Sequence, residues 1–73
     1  MHIGLSFLAG EEIPSVLYKH NNYVEIIGGP HCGSRGSLIT VLSLVPEPLY
    51  VVELEAGHDA KISQSDIRFI ADN

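Results

Sequence analysis

The chain has 73 residues, enough for one small domain, and 45% are hydrophobic while 18% are charged, a balance typical of a globular protein. Four Lys and Arg against nine Asp and Glu give a net charge of −5, which disfavours non-specific binding to nucleic acid. The single cysteine, Cys32, excludes an intramolecular disulfide and favours a reducing compartment. The apolar stretches of the chain are short, and its start lacks the basic residues of a secretory signal. We therefore expect a cytoplasmic protein without a membrane partner.

Residues 1–22 are predicted to form an N-terminal extension with a short helix. Ile3, Leu5 and Phe7 alternate with smaller or polar residues, which predicts a short strand-like segment. Beyond Gly10, four residues recur at helical spacing: Ile13, Val16, Leu17 and His20. Acidic residues and a proline stand near the start of this second segment, so we expect about two turns of helix over residues 12–20.

Residues 23–73 are predicted to form a domain of short strands. Segments rich in β-forming residues alternate with turn signals, which places strands at 23–27, 37–44, 49–55, 60–62 and 67–70. Residues 63–66 read as a single turn of 3₁₀ helix before the last strand. Five short strands with regular turns predict a mainly all-β fold, a small five-stranded barrel.

The most specific local pattern is the glycine-rich turn between the first two strands. Gly29, Gly33 and Gly36 lie where the chain leaves one strand, reverses direction and enters the next. Glycine tolerates backbone angles that other residues avoid and lets two backbones approach closely. Leu38, two residues beyond the last glycine, then returns a side chain to the predicted core.

This pattern resembles the KOW motif of ribosomal and transcription-elongation proteins, in which two strands and a glycine-containing loop form part of an SH3-like barrel. On this resemblance Val24 and Ile26 occupy core positions of the first strand, and Leu38 and Val41 those of the second. The resemblance implies an SH3-like barrel over 23–73 and, for members that bind RNA, basic residues around the loop. This loop offers only Arg35 and His31, so the resemblance supports the scaffold better than RNA binding.

Four residues are the candidate binding residues: Tyr23, His31, Arg35 and Tyr50. Two tyrosine rings beside a cation are typical of the binding faces of small barrels. The alternative interpretation is that Tyr50 and Phe69 fill core or edge positions. If RNA is bound, we expect Arg35, His31, Lys61 and Arg68 to contact its backbone.

No catalytic or metal-binding constellation stands out in the sequence. His31 and Cys32 are adjacent, but neither the spacing of a zinc site nor a base with an orienting group accompanies them, so we predict no metal, no cofactor and no enzyme. A small hydrolase or metalloenzyme is the least favoured class.

The apolar start of the chain, with Ile3, Leu5, Phe7 and Leu8, either packs on its own domain or adds an edge strand to a second copy. The sequence as a whole favours a small non-catalytic interaction module that binds a protein partner or itself. An RNA- or ribosome-associated KOW domain is the alternative.

Overall fold

The structure is a computed structural model and describes residues 3–72. Its elements, in chain order, are α1 (Ile3–Leu8), β1 (Tyr23–Ile26), β2 (Arg35–Ser43), β3 (Leu49–Leu54), β4 (Asp59–Ser63) and β5 (Ile67–Ala71). A single 3₁₀ turn, Gln64–Asp66, joins β4 to β5. The predicted all-β class with a short helix is therefore confirmed. None of the helical segments within residues 3–72 has the length and apolar character needed to span a bilayer.

The five strands form one antiparallel sheet in the order β4-β3-β2-β1-β5. β4 and β5 are its two edges, so no ladder between them closes the sheet. β2 is the longest strand, and its register against β3 shifts after Leu38 and again after Val41. Such bulges bend a strand and increase its twist, and they let β2 pair with β1 at its start and with β3 along its length.

The hydrophobic core lies on one side of this sheet. The alternation predicted for β1 is confirmed, because Val24 and Ile26 are both fully buried. Leu38 and Val41 are also both buried although they are three residues apart, because the bulge after Leu38 changes the alternation of β2. Among residues 3–72, the buried hydrophobic residues are Phe7, Ile13, Val24, Ile26, Leu38, Val41, Tyr50, Val52, Leu54, Ala60, Ile62 and Ile67.

The N-terminal helix α1 occupies the segment for which a strand was predicted, so that prediction is wrong. Ile3 and Phe7 are four residues apart, which is also one turn of a helix, and both pack on the core from the same side. The helix ends in a Schellman motif, in which the N–H of Glu11 donates to the carbonyl of Ser6 at 3.0 Å. As a helix, this segment cannot add a strand to a second copy; Phe7 packs it on its own domain.

Residues 12–20 form no helix, contrary to the prediction. Pro14 and Ser15 occupy the middle of a β-turn, closed by the N–H of Val16 donating to the carbonyl of Ile13 at 3.1 Å. Ser15 has a φ of 72°, which lies outside the helical region and suits the third position of a β-turn whose second position is proline. The helical spacing of the apolar residues therefore reflects a turn that buries Ile13.

The side chain of Gln64 fixes this turn to the sheet. Its Oε1 accepts a hydrogen bond from the N–H of Leu17 at 3.0 Å, and its Nε2 donates to the carbonyl of Ser15 at 3.0 Å. The same Oε1 accepts a hydrogen bond from the hydroxyl of Tyr50 at 2.5 Å. One amide thus connects the N-terminal segment, the 3₁₀ turn and β3.

The glycine-rich reversal between β1 and β2 is confirmed. Gly29 and Gly33 have φ angles of 80° and 94°, in the region that side chains other than glycine rarely adopt. The N–H of Gly33 donates to the carbonyl of Ile26 at 2.8 Å, and the N–H of Ile26 donates to the carbonyl of Ser34 at 2.8 Å. β1 and β2 therefore leave the loop as an antiparallel pair.

Gly36 is required for a different reason, the close approach of two backbones. A Cβ atom at this position would lie 2.1 Å from the carbonyl oxygen of Glu53 and 3.0 Å from the Cα of Leu54. Both obstructing atoms belong to the backbone of β3, which cannot move without breaking its ladder with β2. Any side chain at position 36 therefore separates two central strands.

We expect Gly36→Ala to lower the free energy of unfolding by about 1–3 kcal/mol or more, because the added methyl group overpacks the β2–β3 contact. Denaturant unfolding followed by circular dichroism measures the loss. Gly28→Ala is the matched control, since the atom in the way there is the carboxylate end of the Asp66 side chain, which is free to rotate. Equal stability of the two variants would contradict this explanation of Gly36.

Candidate binding face

Two of the predicted binding residues, Tyr23 and Arg35, lie on the side of the sheet away from the core. Tyr23 begins β1, and its neighbour Val24 points inward and is fully buried. Arg35 begins β2, is exposed and stands opposite Glu25 in the β1–β2 ladder. Directly opposed residues of an antiparallel pair share a face, so Tyr23, Glu25 and Arg35 lie together.

The hydroxyl of Tyr23 donates a hydrogen bond to the carboxylate of Glu55. Glu55 follows β3 and is held beside β2 by its N–H, which donates to the carbonyl of Arg35 at 2.9 Å. The hydrogen bond to Glu55 is the main reason why the pKa of Tyr23 is raised, because it favours the protonated phenol. The Arg35 guanidinium lowers the same pKa, which means that its charge also reaches the ring hydroxyl.

Glu25 lies between two arginines, with Arg35 opposite on β2 and Arg68 opposite on β5. Its carboxylate accepts a hydrogen bond from the Arg68 guanidinium. That hydrogen bond is the largest cause of the lowered pKa of Glu25, and the positive charges of Arg68 and Arg35 act in the same direction. We call the surface formed by Tyr23, Glu25, Arg35, Glu55 and Arg68 the Tyr23 face.

The Tyr23 face carries two positive and two negative side chains around one aromatic ring. A cleft of about 400 Å³ opens at its end and is lined by Gly33, Ser34, Arg35, Leu54, Glu55 and Ala56. Lys61 lies apart from this face, on edge strand β4 and opposite Val51. Of the cations that a nucleic-acid site would use, Arg35 and Arg68 therefore share this face, while Lys61 does not.

His31 is half-buried in the β1–β2 loop, and its ring lies against that of His58 in the β3–β4 turn. The two ring centroids are 6.2 Å apart. Cys32 follows as an exposed free thiol. Within residues 3–72 there is no group of three His, Cys, Asp or Glu side chains arranged to hold a metal ion.

Tyr50 is fully buried, so the prediction that its ring belongs to an exposed binding face is wrong. It occupies an inward-facing position of β3, and its ring lies 5.9 Å from those of Phe7 and Tyr18, centroid to centroid. Its hydroxyl is satisfied by Gln64. The alternative interpretation of Tyr50, as a core residue, is the correct one, while Phe69 lies on edge strand β5 and is 42% exposed.

Glu25 and Glu55 are the members of the Tyr23 face that sequence reasoning did not single out as binding residues, and it named Arg68 only as a contact to RNA in the alternative function. Strand alternation places Glu25 on the same side as Tyr23, so that neighbour was accessible from the sequence. The positions of Glu55 and Arg68 depend on β3 lying next to β2 and on β5 lying next to β1, and a local pattern carries no information on strand order.

Comparisons of this chain with models of protein families, with curated proteins and with solved structures find no match.

Burial raises the pKa of Tyr50 to about 12, above the value of about 10 for a free phenol. The folded state therefore holds this proton more tightly than the unfolded state, and the resulting stability is complete below pH 10. Between about pH 10 and 12 we expect the free energy of unfolding to fall, with a slope approaching about 1.4 kcal/mol per pH unit for this one group.

Denaturant unfolding at a series of pH values measures this decline. Tyr50→Phe removes the ionisable group, so we expect a shallower decline than in the wild-type protein. Tyr23→Phe is the comparison: it removes a phenol whose pKa is also raised, but mainly by the hydrogen bond to Glu55 rather than by burial, so we expect it to flatten the decline less than Tyr50→Phe does. An identical pH dependence in wild type and Tyr50→Phe would contradict the assignment.

Proposed function

We propose that this chain is a non-catalytic interaction module that binds a protein, either another protein or a second copy of itself. The observation that carries the proposal is the charge arrangement of the Tyr23 face, where Arg68 is paired with Glu25 and Arg35 lies beside that same carboxylate. Binding to a phosphate backbone depends on cations that are free to replace counterions. Here each arginine already has a carboxylate neighbour.

A mixed-charge surface around a tyrosine suits a protein partner. Tyrosine and arginine are enriched in protein–protein interfaces, and charges of both signs provide specificity for a complementary surface. The exposed apolar residues support the same class of partner. Leu5 and Leu8 lie one turn apart on α1 and are 65% and 49% exposed, and Leu42 on β2, the strand against which α1 packs, is 43% exposed.

We propose an SH3-like barrel with a KOW-type turn as the scaffold. The support consists of the glycine reversal between two antiparallel strands, the burial of Val24, Ile26, Leu38 and Val41, and the 3₁₀ turn before the last strand. We also propose a cytoplasmic location, because the one cysteine is exposed as a free thiol, which a reducing compartment preserves.

RNA binding is the second candidate function, and one observation favours it. Arg35 is exposed at the end of the glycine loop, next to the ring of Tyr23, so a cation and an aromatic surface lie together. This is the combination on which single-stranded bases stack in small β domains. A direct titration separates this candidate from a protein-binding module.

We expect labelled RNA oligomers to show no saturable anisotropy change up to about 10 µM protein at about 50 mM salt, because the cations of the face are already compensated. Binding that weakens steeply as salt rises, and that Arg35→Glu abolishes, would contradict the proposed function and favour the RNA alternative. Lys19→Glu is the matched control, because it makes the same change of charge at an exposed residue outside the Tyr23 face.

A further inference from the structure

The two edge strands of the sheet differ in whether another segment within residues 3–72 covers them: part of β5 is covered, and β4 is not. Along β5, the hydroxyl of Tyr18 donates to the carbonyl of Ile67 at 3.3 Å. The ring of Tyr18 stacks on Phe69 with an interplanar angle of 4° and a centroid separation of 6.5 Å. The N-terminal segment therefore covers part of this edge, which is one way in which proteins prevent a strand edge from pairing with another chain.

β4 has no such cover in the described part of the chain. The N–H of Leu54 donates to the carbonyl of His58 at 2.9 Å, and the N–H of Gln64 donates to the carbonyl of Pro48 at 2.9 Å. These bonds fix the alternation along the strand, so the backbone groups of Ala60 point toward β3 and those of Asp59 and Lys61 point outward. Among residues 3–72, no segment hydrogen-bonds to these outward groups.

The side chains next to this open edge are oppositely charged. Asp59 and Lys61 are both exposed and, being two residues apart on one strand, lie on the same face. Neither forms an ion pair within the described residues, where the one salt bridge joins Arg68 to Glu25. β4 thus presents an unpaired backbone edge with one negative and one positive side chain flanking Ala60.

We propose that β4 pairs with β4 of a second copy of this chain. The two strands run antiparallel, and a two-fold axis that passes through Ala60 relates the two copies. In this register the outward backbone groups of Asp59 meet those of Lys61 of the second copy, and the reverse pair forms on the other side of the axis. Two charge-complementary cross-strand pairs result. The pairing joins the two five-stranded sheets into one continuous sheet.

Charge selects this register over its neighbours. Outward backbone groups can pair only with outward groups. The two-fold axis can therefore move along the strand only by a whole number of residues. A shift by one residue in either direction places Lys61 opposite Lys61 or Asp59 opposite Asp59, and directly opposed like charges are destabilising. The inference rests on the proposed function, since it names a second copy as the protein partner and β4 as the contact.

Sedimentation equilibrium of the wild-type chain at concentrations up to about 1 mM, where small interfaces associate, measures the dimer. We expect Asp59→Lys and Lys61→Asp to weaken self-association by about tenfold or more, because each change converts two attractive pairs into two repulsive pairs. A 1:1 mixture of the two variants restores complementary pairs and is expected to form a heterodimer. The exchange of the amide protons of Asp59 and Lys61 is expected to slow as wild-type concentration rises.

Glu12→Lys and Lys19→Asp are the controls, since they make the same changes of charge at exposed residues outside β4 and leave the dimer unchanged. Circular dichroism verifies that each variant is folded. A wild-type chain that stays monomeric, variants that still dimerise, or a mixture that forms no heterodimer would each overturn the inference. The proposed function is judged separately by the RNA titration, in which neither Asp59 nor Lys61 is altered.

Discussion

The side-chain amide of Gln64 is the contact on which the arrangement of this small domain depends. It binds backbone groups of Ser15 and Leu17 on one side and the hydroxyl of Tyr50 on the other. The sheet is open between β4 and β5, so its core needs a cover that the strands do not supply. The N-terminal segment provides that cover by placing Phe7 and Ile13 in the same core as the strands.

Further along the chain, the end of the N-terminal segment hydrogen-bonds directly to β2. Nδ1 of His20 lies 2.8 Å from the carbonyl oxygen of Ile39. Because a carbonyl oxygen can only accept, Nδ1 carries the hydrogen and donates it. The N–H of Asn21 donates to the carbonyl of Leu38 at 2.8 Å, and the N–H of Leu38 donates to the carbonyl of Asn22 at 3.0 Å. The N-terminal segment thus covers the core at its start and hydrogen-bonds to β2 at its end. Between these two parts, Tyr18 covers the edge of β5. In the proposed function, the protein partner binds to surfaces that this segment leaves exposed.

Local patterns predicted the parts of the fold that local physics determines. The reversal at Gly29 and Gly33 was predictable because the angles that it requires belong almost exclusively to glycine. The alternation of Val24 and Ile26 was predictable because a strand with one buried face has a period of two. The N-terminal segment was mispredicted because Ile3 and Phe7 satisfy both a strand alternation and one turn of a helix, and packing on the core decides between them.

Long-range contacts explain the remaining differences. Tyr50 has the same local context in a core as on a binding face, and its burial follows from Phe7 and Tyr18, which lie far away in the sequence. The pairing of Glu25 with Arg68 depends on the last strand returning beside the first. The sequence alone therefore identified Tyr23 and Arg35 as face residues, and strand alternation places Glu25 on their side of the sheet. The positions of Glu55 and Arg68 required the strand order.

Native-state hydrogen exchange of the full chain, recorded residue by residue, would show whether the N-terminal segment and the sheet unfold as one unit. We predict that the amides of Leu17 and Asn21 open with the same free energy as those of β2 and β3. In Gln64→Ala, the amide of Asn21 is predicted to open well below the free energy of global unfolding. Rapid exchange of Leu17 and Asn21 in the wild-type chain, with β2 and β3 still protected, would contradict this account.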